Sequence, residues 1–66
     1  TGNIYLNNYS NELISIKIFD LSGKLVKNSF LVNPFDKYAI SLPKGHFVAE
    51  IKNRNSLSFQ KIIILD

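Results

Sequence analysis

The chain is 66 residues long, 45% apolar, without cysteine, and carries a formal charge of +3. That length allows one domain with a small core, burying about 60% of the surface its unfolded form exposes, and the missing cysteines exclude a disulfide framework and any thiolate metal site. The lysines are scattered along the sequence, which argues for a solvated surface and against a nucleic-acid stripe. The longest apolar run, Ile62-Ile63-Ile64-Leu65, is far too short for a membrane-crossing helix, so no membrane insertion is expected. The lack of cysteine fits the cytosol and does not exclude export. With no methionine in the sequence, Thr1 is not expected to be a native start, and a signal peptide would lie upstream of it.

Taken in order, Ile4-Tyr5-Leu6 reads as a short first strand, with Ile4 and Leu6 on one face. Asn7 to Asn11 is a loop whose asparagine and serine side chains satisfy their own backbone. Leu13 to Asp20 is the second strand. Ile14, Ile16 and Ile18 alternate there with Ser15 and Lys17, the clearest period of two in the chain. Such a strand keeps one face in the core and one in water. Phe19 to Val26 then forms the hairpin around which the rest is organised. Asp20 folds its carboxylate onto backbone N–H groups two or three residues on, and Gly23 supplies the positive φ of a three-residue loop with a bulge. Lys24 to Phe30 is the third strand, with Leu25 or Val26 facing inward.

Asn33-Pro34-Phe35-Asp36 ends that strand in a turn. In the fourth strand, Tyr38 to Leu42, the side chains of Tyr38, Ile40 and Leu42 share a face. Pro43-Lys44-Gly45 is a turn. His46 to Asn53 is the fifth strand, with Phe47, Ala49 and Ile51 on one face and Val48, Glu50 and Lys52 on the other. Asn53 to Ser56 closes a second hairpin, with asparagine available for the left-handed region. Leu57 to Leu65 is the last and longest strand. No segment holds a 3.6-residue apolar period. Six short strands joined by turn chemistry predict an all-β sandwich or small barrel.

The inventory for catalysis or ligation is thin. His46 is the one histidine, and no further metal ligands are placed near it by sequence. Asp20 is committed to its turn, Glu50 reads as a solvated partner in a cross-strand pair, and Asp36 sits in a loop. No two carboxylates converge for acid–base work. Ser22 lacks a base and an orienting group, and Gly23-Lys24 lacks the glycine run and following helix of a phosphate loop. No enzyme activity and no cofactor are therefore expected. Phe19, Tyr38, Phe47 and Phe59 are read as core. The basic residues that could flank a stacking platform are Lys17, Lys52 and Lys61. The terminal run Gln60 to Leu65 is flat, apolar and β-branched. It is read as a strand buried on both faces, or else as an edge that another chain recognises.

Three stretches follow one another in a familiar order: Ile16 to Val26, Ile40 to Ile51, and Gln60 to Ile64. Together they resemble the C-terminal sorting domain of the type IX (Por) secretion system, type A, carried by secreted proteins of the Bacteroidetes. The resemblance covers about Ile4 to Leu65. It implies an immunoglobulin-like antiparallel β-sandwich of six to seven short strands. In such proteins the domain ends an exported cargo that enters the periplasm on a separate N-terminal signal. The outer-membrane translocon recognises it, a sortase-like surface peptidase typically removes it, and the cargo is often joined to a lipopolysaccharide anchor. By the resemblance, Asp20, Gly23 and Lys24 match the hairpin motif of the family. Gly45 and Phe47 match its Gly-x-Tyr motif with Phe for Tyr, and Lys61, Ile62, Ile63, Ile64 and Leu65 match the terminal strand that the machinery needs. The usual opening segment with Pro-Asn-Pro is missing before Thr1, which leaves truncation of the first strand open, and Asp66 adds one acidic residue at the end.

The expected function is thus a non-catalytic sorting signal, residues 1–66 forming a single C-terminal domain of a larger secreted protein. Its expected partners are the translocon, the surface peptidase and the upstream cargo, and its route leads through the periplasm to the cell surface or medium. Recognition by strand addition at Lys61 to Leu65 fits an exposed β edge. The alternative is an accessory extracellular module binding carbohydrate or protein, which predicts exposed aromatics such as Tyr5, Tyr9 or Phe35. A small basic nucleic-acid binder is a third reading and predicts a steep salt dependence.

Overall fold

The computed structural model describes residues 2–65. Six strands appear, with no helix among the described residues: β1 (Gly2–Asn7), β2 (Ile14–Asp20), β3 (Leu25–Val32), β4 (Lys37–Leu42), β5 (Gly45–Lys52) and β6 (Leu57–Ile64). All pairings are antiparallel. They form a two-stranded sheet, β1-β4, and a four-stranded sheet in the order β3-β2-β5-β6. This is the all-β, two-sheet arrangement expected of a small sandwich.

The period-two pattern of β2 fixes the core. Ile14, Ile16 and Ile18 are 8%, 2% and 0% exposed, and each meets an inward residue of the neighbouring strands. Val32, Phe47, Ala49, Ile62 and Ile64 complete the inner face of the large sheet, and Ile40 and Leu42 of β4 close over it. Ile4, Leu6, Phe30, Tyr38 and Ile51 pack around that cluster. One side of the sandwich is held by aromatic stacking. Phe30 of β3 lies 4.4 Å from Tyr38 of β4 between ring centroids, at 26°, with the Lys27 ammonium 5.7 Å and 5.9 Å from the two rings.

β3 departs from the expected reading. Leu25 and Val26 point into solvent, at 43% and 42% exposure, and the inward residues are Phe30 and Val32. The cause is a pair of register slips. Phe19 pairs with Leu25, Ile18 with Lys27 and Ile16 with Phe30, so β3 spends two extra residues over this stretch. Each extra residue turns the alternation over. β3 also runs on to Val32, where it pairs with Ile14. β6 is eight residues long, the same as β3 and β5, so it is not the longest strand.

One buried polar side chain ties the β1–β2 loop to the rest. Asn8 is 3% exposed. Its Nδ2 donates to the carbonyls of Glu12 at 2.7 Å, Val32 at 3.1 Å and Asn33 at 3.2 Å. Its Oδ1 accepts from the N–H and hydroxyl of Ser10, at 3.0 and 2.7 Å. The bond to Val32 is buried, and the Glu12 and Asn33 carbonyls also accept from the Ser10 hydroxyl and the Asp36 N–H, so Asn8 ties the loop to the open end of the β2–β3 hairpin. Bonded to this loop through the Asn8 N–H on the Asp36 carbonyl, the Asn33–Asp36 turn places Phe35 at φ +57°, a left-handed conformation unusual for a bulky residue.

Candidate recognition surface

The β2–β3 turn is built by one carboxylate. Asp20 Oδ1 accepts from the N–H of Ser22 at 2.9 Å, the hydroxyl of Ser22 at 2.6 Å and the N–H of Lys24 at 3.0 Å. The backbone closes with Gly23 N–H on the Asp20 carbonyl and Asp20 N–H on the Lys24 carbonyl. Gly23 sits at φ +87°, as a three-residue loop demands. The Ser22 hydroxyl bond, followed by the Lys24 and Ser22 N–H bonds and the Lys24 charge, holds the Asp20 carboxyl below the ordinary carboxylate range.

Gly45 opens β5 at φ +145°, again in the region that favours glycine. A Cβ there would rest 3.6 Å from the Phe47 ring, so backbone conformation rather than space calls for glycine. Phe47 itself is 5% exposed and belongs to the core.

The register joins these segments. Phe47 pairs with Asp20 on one side and with Ile62 on the other, and Gly45 pairs with Ile64. The hairpin turn, the Gly-x-Phe segment and the terminal strand therefore lie in adjacent rows at one end of the large sheet. They are far apart in sequence and contiguous in space.

β6 is an edge strand, paired with β5 alone in the sheet order. Four of the five candidate residues lie in β6 and divide by the pleat, and Leu65 follows just past its end. Ile62 and Ile64 are buried at 8% and 6%, whereas Ile63 and Leu65 are exposed at 48% and 77%. Lys61 is also exposed. The expectation of a strand buried on both faces is thus corrected, because no layer among the described residues covers the outer side of the large sheet at β6. Phe59 is likewise not core, being 62% exposed on that outer side. Phe19 and Tyr38 are half-buried.

Lysines scattered in sequence gather on this outer face. Cross-strand pairing puts Lys17 beside Glu50, Glu50 beside Phe59, Val48 beside Lys61, and Ser15 beside Lys52. Glu50 thus faces Lys17 across the strands rather than Lys52 along its own. His46 is exposed at the start of β5, which is an interior strand of the sheet. Among the described residues no three histidine or acidic side chains come together as a metal site requires. The aromatics of the binding-module reading are open to solvent, with Tyr5, Tyr9 and Phe35 at 61%, 83% and 73% exposure. Tyr5 and Tyr9 border a hollow of about 450 Å³ floored by Ile14, Ile16 and Ile51, and Phe35 stands apart from it.

Sequence reasoning missed Asn8, whose role depends on carbonyls 24 and 25 residues away. It also missed the outward side of β6, since a run of isoleucines has no period to read. A family model for the secretion system C-terminal sorting domain matches residues 1–65. No curated protein and no solved structure matches the chain. The match runs through every strand and both hairpins described above, and the chain belongs to the family of type IX secretion C-terminal sorting domains.

Proposed function

We propose that this domain is a non-catalytic signal that carries an attached cargo through the outer-membrane type IX translocon to the cell surface or medium, where a sortase-like peptidase removes it. Family membership already makes it a secretion sorting signal, and that family is not a catalytic one. The observation that carries the finer reading is the meeting of three segments at one end of the large sheet, with the edge strand β6 as the outermost of them. An unpaired edge offers a row of backbone donors and acceptors to an incoming strand, and alternate side chains supply selectivity. Here the selective side chains are Lys61, Ile63 and Leu65. Ile62 and Ile64 hold the strand in place from below.

The test is export of a periplasm-directed fluorescent protein ended by residues 1–66, in a bacterium with the type IX machinery. Removing residues 61–66 would also remove Ile62 and Ile64 from the core, so outward substitutions are the sharper probe. Lys61→Glu with Ile63→Ser is expected to leave the thermal midpoint within a few degrees and to retain the reporter in the periplasm. Undiminished export by that folded variant would refute the role given to the outward side of β6.

A further inference from the structure

The outer face of the four-stranded sheet is more apolar than a solvated face needs to be. Leu25, Leu31, Leu57, Phe59 and Ile63 are 43–62% exposed on it. Phe19 and Val48 fill the middle and are half-buried only by their neighbours. The register makes this one continuous surface, since Leu25, Phe19, Val48 and Lys61 form a single row across all four strands. The exposed apolar residues line both edge strands, Phe19 and Val48 link them through the middle, and Lys17, Glu50 and Lys52 sit among them on the two central strands. Apolar surface of this extent on a sheet face marks a protein interface more often than bare surface.

We propose that this whole face, and not the β6 edge alone, is covered during export by one protein component of the secretion machinery, whose contact patch is apolar and carries carboxylates set opposite the lysines. The proposal rests on the sorting reading and names the partner's chemistry. Charge complementarity selects the occupant. The face carries Lys17, Lys52 and Lys61 against the single carboxylate of Glu50. A second copy laid face to face would bring six lysines together against two glutamates, a like-charge arrangement that specific interfaces avoid. Glu50 decides between the remaining classes. It lies between Lys17 and Phe59 in the interior of the face and is half-buried. Lipid would have to bury Glu50 with no donor but Lys17, a desolvated ion pair in hydrocarbon, and a phosphate backbone would meet a carboxylate in the middle of its contact. A protein can offer Glu50 a hydrogen-bond donor while setting its own carboxylates against the lysines.

The experiment uses the reporter fusion in the same host. Leu57→Ser with Phe59→Ser removes apolar contact, and Lys17→Glu with Lys52→Glu reverses the charge. Phe35→Ser and Lys37→Glu serve as matched changes off this face. Both face variants are expected to lower exported reporter about tenfold, the effect of roughly 1.4 kcal/mol of lost affinity, with the off-face variants unchanged. A photo-cross-linker at position 59, but not at position 35, is expected to capture an outer-membrane protein of the machinery. Should the serine variant melt early, Lys52→Glu alone decides, because Lys52 is exposed and its cross-strand partner is Ser15. Full export by folded face variants overturns the proposal and leaves the sorting reading standing. Retention of the unaltered fusion overturns both. Self-association abolished by Phe59→Ser, or binding to single-stranded DNA or phosphatidylglycerol vesicles abolished by Lys17→Glu with Lys52→Glu, overturns it in favour of those occupants.

Discussion

The two hairpins of the large sheet use the same device and end differently. In the first, Asp20 Oδ1 collects the N–H and hydroxyl of Ser22 and the N–H of Lys24. In the second, Asn53 Oδ1 collects the N–H of Asn55 at 2.8 Å and the N–H and hydroxyl of Ser56 at 2.7 and 3.0 Å. Each turn is a local side-chain cap on a reversing backbone. One acceptor is charged and the other neutral. The first turn needs Gly23 at positive φ, while the second has no left-handed residue, so its asparagine acts as an acceptor and not as the conformational exception expected of it. Downstream, β2–β3 slips twice, whereas β5–β6 pairs residue for residue from Lys52–Leu57 to Gly45–Ile64. A turn sets where a hairpin starts; the residues beyond it decide whether the register holds.

The largest effect is expected in the core, which both hairpins share. Ile18 is fully buried, and Ile18→Ala is expected to cost about 2–5 kcal/mol in urea unfolding, against under about 0.5 kcal/mol for Ile63→Ala on the outward side of the second hairpin. Next comes Asn8, which clamps the open end of the slipping hairpin. Asn8→Ala removes the buried bond to the Val32 carbonyl and the bonds to Ser10 and should cost about 1–3 kcal/mol, a loss that Asn8→Gln does not restore if geometry and not chemistry matters. Gly23→Ala, tested by thermal unfolding, isolates conformational strain, because nothing lies within 4 Å of the added methyl. Its expected cost is about 1–2 kcal/mol, with Gly23→Asn milder.

The smallest effect separates the two caps by charge. The depressed Asp20 carboxyl contributes stability that is present above the ordinary carboxylate value and lost as pH falls through its lower folded value. Asp20→Asn should flatten the acid limb of a stability–pH curve, and Asn53→Asp should steepen it with the same sign. Opposite changes, or none, in titrated thermal midpoints would mean that the two turns are not equivalent.

The sequence reads well where structure is local. The alternation of Ile14, Ile16 and Ile18 and the Asp20–Gly23 turn were legible because period and turn chemistry act over a few residues. The inward set of β3 was not, since two bulges undo the period and leave no residue signature between Leu25 and Phe30. Asn8 looks like any loop asparagine until its distant carbonyls are known. For the candidate site, the motif residues were legible only as separate stretches; their meeting at one sheet end depends on the long-range pairing of β5 with both β2 and β6. The split between Ile62 and Ile63 depends on which side of the sheet is left uncovered.

That split makes the last strand a report on the state of the domain. A receptor that took the strand as a linear peptide would first have to draw Ile62 and Ile64 out of the core, at about 1.5–3 kcal/mol each. A receptor that reads Lys61, Ile63 and Leu65 from outside meets them in fixed alternation only while the buried pair is seated. In such a reading the tag vouches for its own folding, and a tail that has failed to fold carries the right residues in the wrong spelling.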